Sequence, residues 1–219
     1  MTADQERPAA RGYHSPRRAE QAAATRAAVL AAARELFVAQ GYAGTTVAQI
    51  ARQARVAVDT VYAAVGRKPA LLRAVLETAL SGTDAEVPAR QRDYVRKVMA
   101  ATSAREKITH YVTGLVEVHG RLAPVFLALR DAGGTDPESA ALWQEIAQRR
   151  ARNMADFAAD LRATGELRDD LADRDVADIV WSMNSPEYWV LLVDERGWTT
   201  ERFAAYLIDA WTRLLLSRP

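Results

Sequence analysis

An all-α fold in two parts is what this sequence predicts: an N-terminal three-helix unit carrying a helix-turn-helix, joined to a larger helical body. Apolar residues recur at helical spacing along most of the chain, and no strand-like alternation of any length interrupts them. A glycine pair and isolated glycines fall between the periodic segments. Charge is also divided. Residues 1–68 hold nine Arg and one Lys against Asp4, Glu6, Glu20, Glu35 and Asp59, a balance of +5, while the remainder carries −4. A basic unit beside an acidic one suits a module for a polyanion attached to a body with a different task; randomly scattered solvated charge is the alternative.

Taken in order, Met1–Ser15 holds Pro8, Gly12, several charges and few apolar groups, too little to offset the entropy of ordering. Residues 1–18 are therefore expected to form a flexible basic arm. From Ala19 to Gln40 a first helix follows, with Val29, Ala33, Leu36 and Phe37 on one face. Gly41 is its stop signal, and Thr45 or Thr46 can cap a second helix over Thr46–Ala54 that turns Val47, Ile50, Ala51 and Ala54 inward. A third helix starts near Val56 or Ala57 and ends about Ala64, with Val61 and Val65 as its apolar contacts. The fourth starts at Lys68-Pro69, where proline suits the first turn, and runs to Leu80. A loop is expected over Ser81–Ala89. Beyond it, helices are expected over 88–101, 103–120, 122–131, 137–163, 173–196 and 199–217, punctuated by Gly133-Gly134, Gly165 and Gly197, with Pro186 kinking or splitting the fifth of these.

Two short helices joined by about three residues have the spacing of a helix-turn-helix. Small Ala51 allows close approach, and Val56 and Val61 fix the angle. An ordinary helical hairpin fits the apolar positions equally well but leaves the basic surroundings and Thr60, Tyr62 and Lys68 unexplained.

The stretch Thr25–Leu72, TRAAVLAAARELFVAQGYAGTTVAQIARQARVAVDTVYAAVGRKPALL, resembles the DNA-binding domain of the TetR family of transcriptional regulators. The likeness is carried by Leu36-Phe37, Gly41-Tyr42, Thr45-Thr46, Ile50-Ala51, Val56, Thr60-Val61-Tyr62 and Lys68 with Leu71-Leu72. A looser likeness lies in SPEYWVLLVDERGWTTERFAAYL, similar to the last helices of many members. The resemblance implies that Thr46, at a helix N-terminus, bonds a phosphate, that Tyr62 and Lys68 clamp phosphates across the groove, and that Thr60 does likewise. It assigns base reading to Ala57, Val58 and Asp59, with Ala63 beside them. Here the sequence departs from the family, in which many members carry Lys or Arg near Val58, Gly near Asp59, and His or an aromatic near Ala63 and Ala64. Ala57 and Val58 can touch a thymine methyl, and Asp59 can accept from a cytosine amine or serve as a helix cap. Arg55 stands where the turn commonly has Gly, at a cost of about 1–2 kcal/mol if its backbone is left-handed, and can reach a phosphate in return. Arg7, Arg11, Arg17 and Arg18 can add contacts in a neighbouring minor groove.

The resemblance divides the chain into the arm, a DNA-binding domain over 19–68 and an effector-binding and dimerisation body over 69–219. Two reading heads about 34–36 Å apart require a homodimer on a palindromic operator. Phe203, Leu207, Trp211, Leu214 and Leu215 on the last helix, with Val176, Ile179, Val180, Met183, Trp189, Leu191 and Leu192 before it, are the surface expected to form it, though an internal core stripe explains some of them. Candidate small-molecule contacts are Tyr94, Met99, His110, Tyr111, Phe126, Trp143, Met154, Phe157 and Trp181, each also at home in a core. The line Glu106, His110, Thr113 and Glu117 either orients a polar ligand group or faces solvent.

Composition narrows the alternatives. At 49% hydrophobic and 26% charged, the chain matches a soluble globular protein. It has no cysteine, so no disulfide, thiolate metal site or cysteine nucleophile. No apolar run approaching a membrane span and no secretory signal are expected, which points to the cytoplasm. No cofactor or metal is expected. His110 and His119 are nine residues apart, on opposite faces of one helix, and neither a phosphate loop nor a nucleophile elbow is present. The sequence thus reads as a non-enzymatic, ligand-responsive regulator, most simply a repressor released from DNA by its effector. The alternative is an all-helical small-molecule-binding protein or enzyme with a degenerate DNA-reading head.

Overall fold

A computed structural model describes residues 16–83 and 89–217, and within them the chain folds into ten α-helices. The expectation for Met1–Ser15, with Arg7 and Arg11, lies outside the described residues. Arg17 and Arg18 do not belong to an arm: they are in the first turn of α1 (Pro16–Gly44), whose helical backbone breaks at Gly41, with φ 71° and ψ 172°. The break folds Tyr42 back onto Phe37, ring centroids 5.7 Å apart. Buried Thr45 holds the turn, its hydroxyl within reach of the carbonyls of Gly41 (2.8 Å) and Leu36 (3.1 Å).

Thr46, not Thr45, caps α2 (Val47–Gln53). Its hydroxyl accepts from the Gln49 amide (3.2 Å) while Gln49 Oε1 accepts from the Thr46 amide (2.7 Å), a reciprocal box that satisfies two otherwise orphan donors. α3 (Val58–Ala64) and α4 (Lys68–Ser81) follow, the latter with Pro69 in its first turn and left-handed Gly82 at its end. A 3-10 turn at Ala89–Gln91 leads to α5 (Asp93–Ala100).

The two helices expected over 103–120 and 122–131 are one, α6 (Ala104–Gly133), continuous through Pro124. Tertiary packing overrides the local interruption: Val118, Leu122, Val125, Phe126 and Leu129 are all buried on either side of it. By length and composition α6 could cross a membrane, contrary to the sequence expectation, but 61% of its most apolar stretch is buried inside the protein, as befits a core helix. α7 (Pro137–Arg162) starts at Asp136, whose carboxylate accepts from the Ser139 amide and hydroxyl. Pro186 splits rather than kinks the following segment, into α8 (Asp173–Met183), α9 (Pro186–Trp189) and a π-helical stretch, Val190–Glu195. α10 (Thr200–Leu215) closes the body, its end clasped by the Arg168 amide on Leu215 O and the Ser217 amide on Glu166 O.

Two apolar clusters form the interior. One joins α1–α4 to the second half of α6 and the start of α7; the other joins α5, the first half of α6, the end of α7, and α8–α10. The stripe expected to meet a second copy belongs largely to this second cluster. Val176, Val180, Phe203, Leu207 and Trp211 are buried within a single chain, and Met183 is packed against them. The buried ones serve as the internal core stripe, since the amphipathic faces of α8 and α10 pack on α6 and α7 within the chain. Of that set Leu191 and Leu214 are exposed, alongside Trp181 and Tyr206.

Candidate nucleic-acid interface and ligand cavity

The short connection between α2 and α3 is built around Arg55, the one non-glycine residue with positive φ (59°) among those described. Its left-handed backbone turns the chain so that the Val56 amide reaches Ala51 O (2.9 Å), and the buried pair Ile50 and Ala51 seats against buried Val61. Ala57, not Asp59, is the N-cap of α3, and it offers no side-chain bond. Asp59 lies one position into the helix, without ion pair or hydrogen bond among the described residues, where a carboxylate favours the positive end of the helix dipole.

This arrangement turns Ala57, Val58, Asp59, Tyr62 and Ala63 outward together with Arg55. Val58 and Tyr62 stay exposed despite their apolar surface. Tyr62, Lys68 and Val47 share one open depression with Arg67, a cation that sequence reasoning passed over although it adjoins Lys68. Thr60 is half-buried, and the Thr46 hydroxyl, though exposed, donates to Gln49 Oε1 (2.8 Å), so a phosphate there would compete with the cap. Lys68 is half-buried with Nζ 4.1 Å from the centre of the Tyr42 ring. Burial lowers its pKa, and Asp136 acts in the opposite sense. Burial also raises that of Tyr42. Arg26 is occupied elsewhere, tying α1 to the end of α3 through Ala64 O (2.8 Å).

In the body, a cavity of about 290 Å³ opens between α4, α6, α7 and the α8–α9 junction. A neighbouring cleft of about 280 Å³ shares Tyr94, Tyr111, Asn153 and Met154 with it. Of the expected contacts, Tyr94, Tyr111, Phe126 and Met154 line the first, and Met99 and Phe157 join the second. His110, Trp143 and Trp181 line neither. Trp143 packs on Phe126 at 4.6 Å, Trp181 lies beneath the Arg150 guanidinium at 5.1 Å, and His110 is half-buried elsewhere on α6. Glu106 caps its own helix, and Thr113 and Glu117 are exposed, so that line faces solvent.

The polar lining was missed almost entirely: His119, Arg149, Arg150, Asn153 and Asn184. Buried Asn184 organises it. Its amide donates to Tyr111 Oη (2.8 Å) and Met154 Sδ (3.0 Å), its Oδ1 accepts from Arg150 Nη2 (2.7 Å), and its backbone carbonyl meets His119 Nε2 (2.9 Å). That carbonyl can only accept, so Nε2 carries the proton and Nδ1 is left as a buried lone pair without a partner. Burial pushes the His119 pKa down to about 4, and the nearby Arg150 charge adds to this. The Tyr111 hydroxyl is pushed up by burial, and the Arg150 guanidinium down. Gly114 makes room for Tyr94: a Cβ there would lie 2.2 Å from the ring's Cγ. Among the described residues no group of three or more His, Asp or Glu could hold a metal.

Residues 29–75 match the family model of bacterial regulatory proteins, tetR family. A curated relative, the HTH-type transcriptional regulator HbdR of Aromatoleum sp. (strain CIB), is 33% identical over 84 residues, 38% of this chain and about a third (34%) of its own length. NalD, the secondary repressor of the MexAB-OprM multidrug efflux pump in Pseudomonas aeruginosa, is 18% identical, with a TM-score of 0.69 over 90% of this chain and 100% of its own. The SmeT–triclosan complex is 17% identical, with a TM-score of 0.69 over 89% and 92%. Residues 29–75 thus resemble the tetR family of bacterial regulatory proteins in sequence, and the chain shares the fold of these solved structures along most of its length.

Proposed function

We propose that this regulator is a repressor that binds a palindromic operator as a homodimer and leaves it when a small molecule enters the cavity. Residues 19–68 would be the reading head and 69–219 the effector and dimer body, working in the cytoplasm where the operator is, without catalysis. The observation that carries the reading is the span of α4. Its first residue, Lys68, lines the depression beside Tyr62, while Glu77 and Leu80 near its other end line the cavity. Fourteen residues make a rod of about 20 Å. Arg149 pairs with Glu77 (2.8 Å) and Arg73 with Glu145 (2.7 Å), so a ligand that shifts α7 drags α4 and the head with it. A coupling of about 1–3 kcal/mol is enough to change occupancy several-fold. The similarity in fold to SmeT, solved with triclosan, supports a small-molecule ligand.

Thr46, Thr60, Tyr62 and Lys68 would hold phosphates, with Arg55 and Arg67 beside them, and Ala57, Val58 and Asp59 would face base edges. The second copy would dock on the exposed apolar groups of the body, Trp181, Leu191, Tyr206 and Leu214.

Selecting bound duplexes from a random pool with the purified protein tests the reading. An enriched palindrome is expected, and replacing Tyr62 by Phe together with Lys68 by Ala should weaken its binding and reduce the salt slope by about 1 for each phosphate no longer neutralised. A second reading draws on the outward face of α3, where no residue from Ala57 to Ala63 is basic. Only sequence-blind binding, or none, would favour a small-molecule-binding protein with a degenerate head.

A further inference from the structure

We propose that the cavity beneath α4 accepts a small organic carboxylate with an apolar body, its carboxyl group taken by Arg150. The inference rests on reading this cavity as a ligand site and adds the chemical class of the ligand.

The lining places Arg149 and Arg150 side by side with one acid, Glu77, and that acid is engaged by Arg149 at 2.8 Å. Arg150 has no carboxylate within 4 Å among the described residues. Its hydrogen bonds all leave from Nη2, to Asn184 Oδ1 (2.7 Å) and Trp181 O (3.0 Å), both neutral acceptors. Glu187 acts on it only from beyond ion-pair distance. A guanidinium has five donors in a fork that matches a carboxylate in two places, and Nε and Nη1, engaged by no described protein group, are open to a ligand. Trp181 under the guanidinium plane and Asn184 at its tip hold it in one orientation.

Leaving a largely desolvated cation unpaired is unfavourable, and burial does pull its pKa down. An arriving anion relieves that. The remaining walls limit its shape. Tyr94, Tyr111, Leu122, Phe126 and Ile146 form an apolar surface, and the volume equals about ten waters' share of the liquid. A compact aromatic acid meets both conditions.

Titration calorimetry of the full chain with phenylacetate, indole-3-acetate and their neutral amides tests this. The acids are expected to bind at least tenfold tighter than the amides. Arg150→Gln should remove the preference for the acids, and Arg150→Lys should retain part of it, with thermal unfolding confirming that both variants fold. Equal binding of acids and amides, a preference that survives Arg150→Gln, or no binding of any acid at millimolar concentration overturns the proposal. Operator release is scored separately. Acids that bind through Arg150 yet leave operator affinity unchanged uphold the anion site and defeat the effector reading. Amides that bind as well as the acids and release the operator do the reverse.

Discussion

Gly114→Ala is the substitution whose outcome the structure specifies most sharply. Gly114 lies in the middle of α6, where glycine is less favourable than alanine by about 1 kcal/mol, so on helix propensity alone the change should stabilise. The added methyl carbon, however, would sit 2.2, 2.4 and 2.6 Å from Cγ, Cβ and Cδ2 of Tyr94, against ordinary contacts of 3.4–4 Å. The ring must retreat by roughly 1 Å or more, and it is braced by Tyr111, centroids 6.1 Å apart. Overpacking of this kind costs about 1–3 kcal/mol, and with so deep an overlap the upper half of that range applies. The expected net effect is a loss of about 1–2 kcal/mol, or a fall of a few degrees in Tm for a chain of this size. Urea unfolding monitored by tryptophan fluorescence measures it, and pairing with Tyr94→Ala isolates the coupling: the double variant should be less destabilised than the sum of the singles. A gain near 1 kcal/mol in the single variant would show that Tyr94 moves aside freely and refute the argument.

Arg55→Gly exchanges a strained left-handed residue (about 1–2 kcal/mol) for glycine's greater unfolded entropy (about 0.5–1 kcal/mol), so a modest stabilisation of about 0.5–1 kcal/mol is expected in urea titration; a loss would contradict it. Thr46→Ala removes the capping box of α2 and should destabilise by about 0.5–2 kcal/mol, whereas Thr46→Ser should restore most of it, both read by thermal unfolding. His119 has a folded pKa of about 4, below its ordinary 6.5, so the unfolded chain binds the extra proton first. Its contribution to stability is full above pH 6.5 and is lost as pH falls towards 4, at about 1.4 kcal/mol per pH unit. Stability measured from pH 4 to 7 should be flatter in His119→Asn than in the parent, and an identical pH profile would remove His119 as the cause.

The helices were legible in the sequence because their signals are local. Val29, Ala33 and Phe37 repeat at helical spacing, Thr46 with Gln49 spells a cap, and Arg55 stands out against the glycine expected of its turn. Continuity through Pro124 was not legible, because what holds α6 together there is burial of Leu122, Val125 and Phe126 against partners distant in the chain. The dimer stripe failed for a related reason: periodicity shows that Phe203, Leu207 and Trp211 share a face but not whether that face meets the same chain or another. Aromatic residues of the cavity were found by type alone. Its polar groups were missed because Arg149 and Arg150 look like surface charge on α7, and only the helix break at Asn184 brings that residue to Arg150, Tyr111 and His119.

The apolar cluster that holds the reading head does not stop at Lys68. Ile50, Val61 and Phe37 belong to the same contiguous core as Leu71, Leu76, Val118, Phe126, Leu142 and Ile146. A chimera that grafted a related head onto this body at residue 68 would therefore cut through packed side chains. Specificity exchange by such grafting should succeed only when the transplanted unit brings α4 with it and the facing positions of α6 and α7 are rematched, so the transferable part is larger than the part proposed to touch DNA.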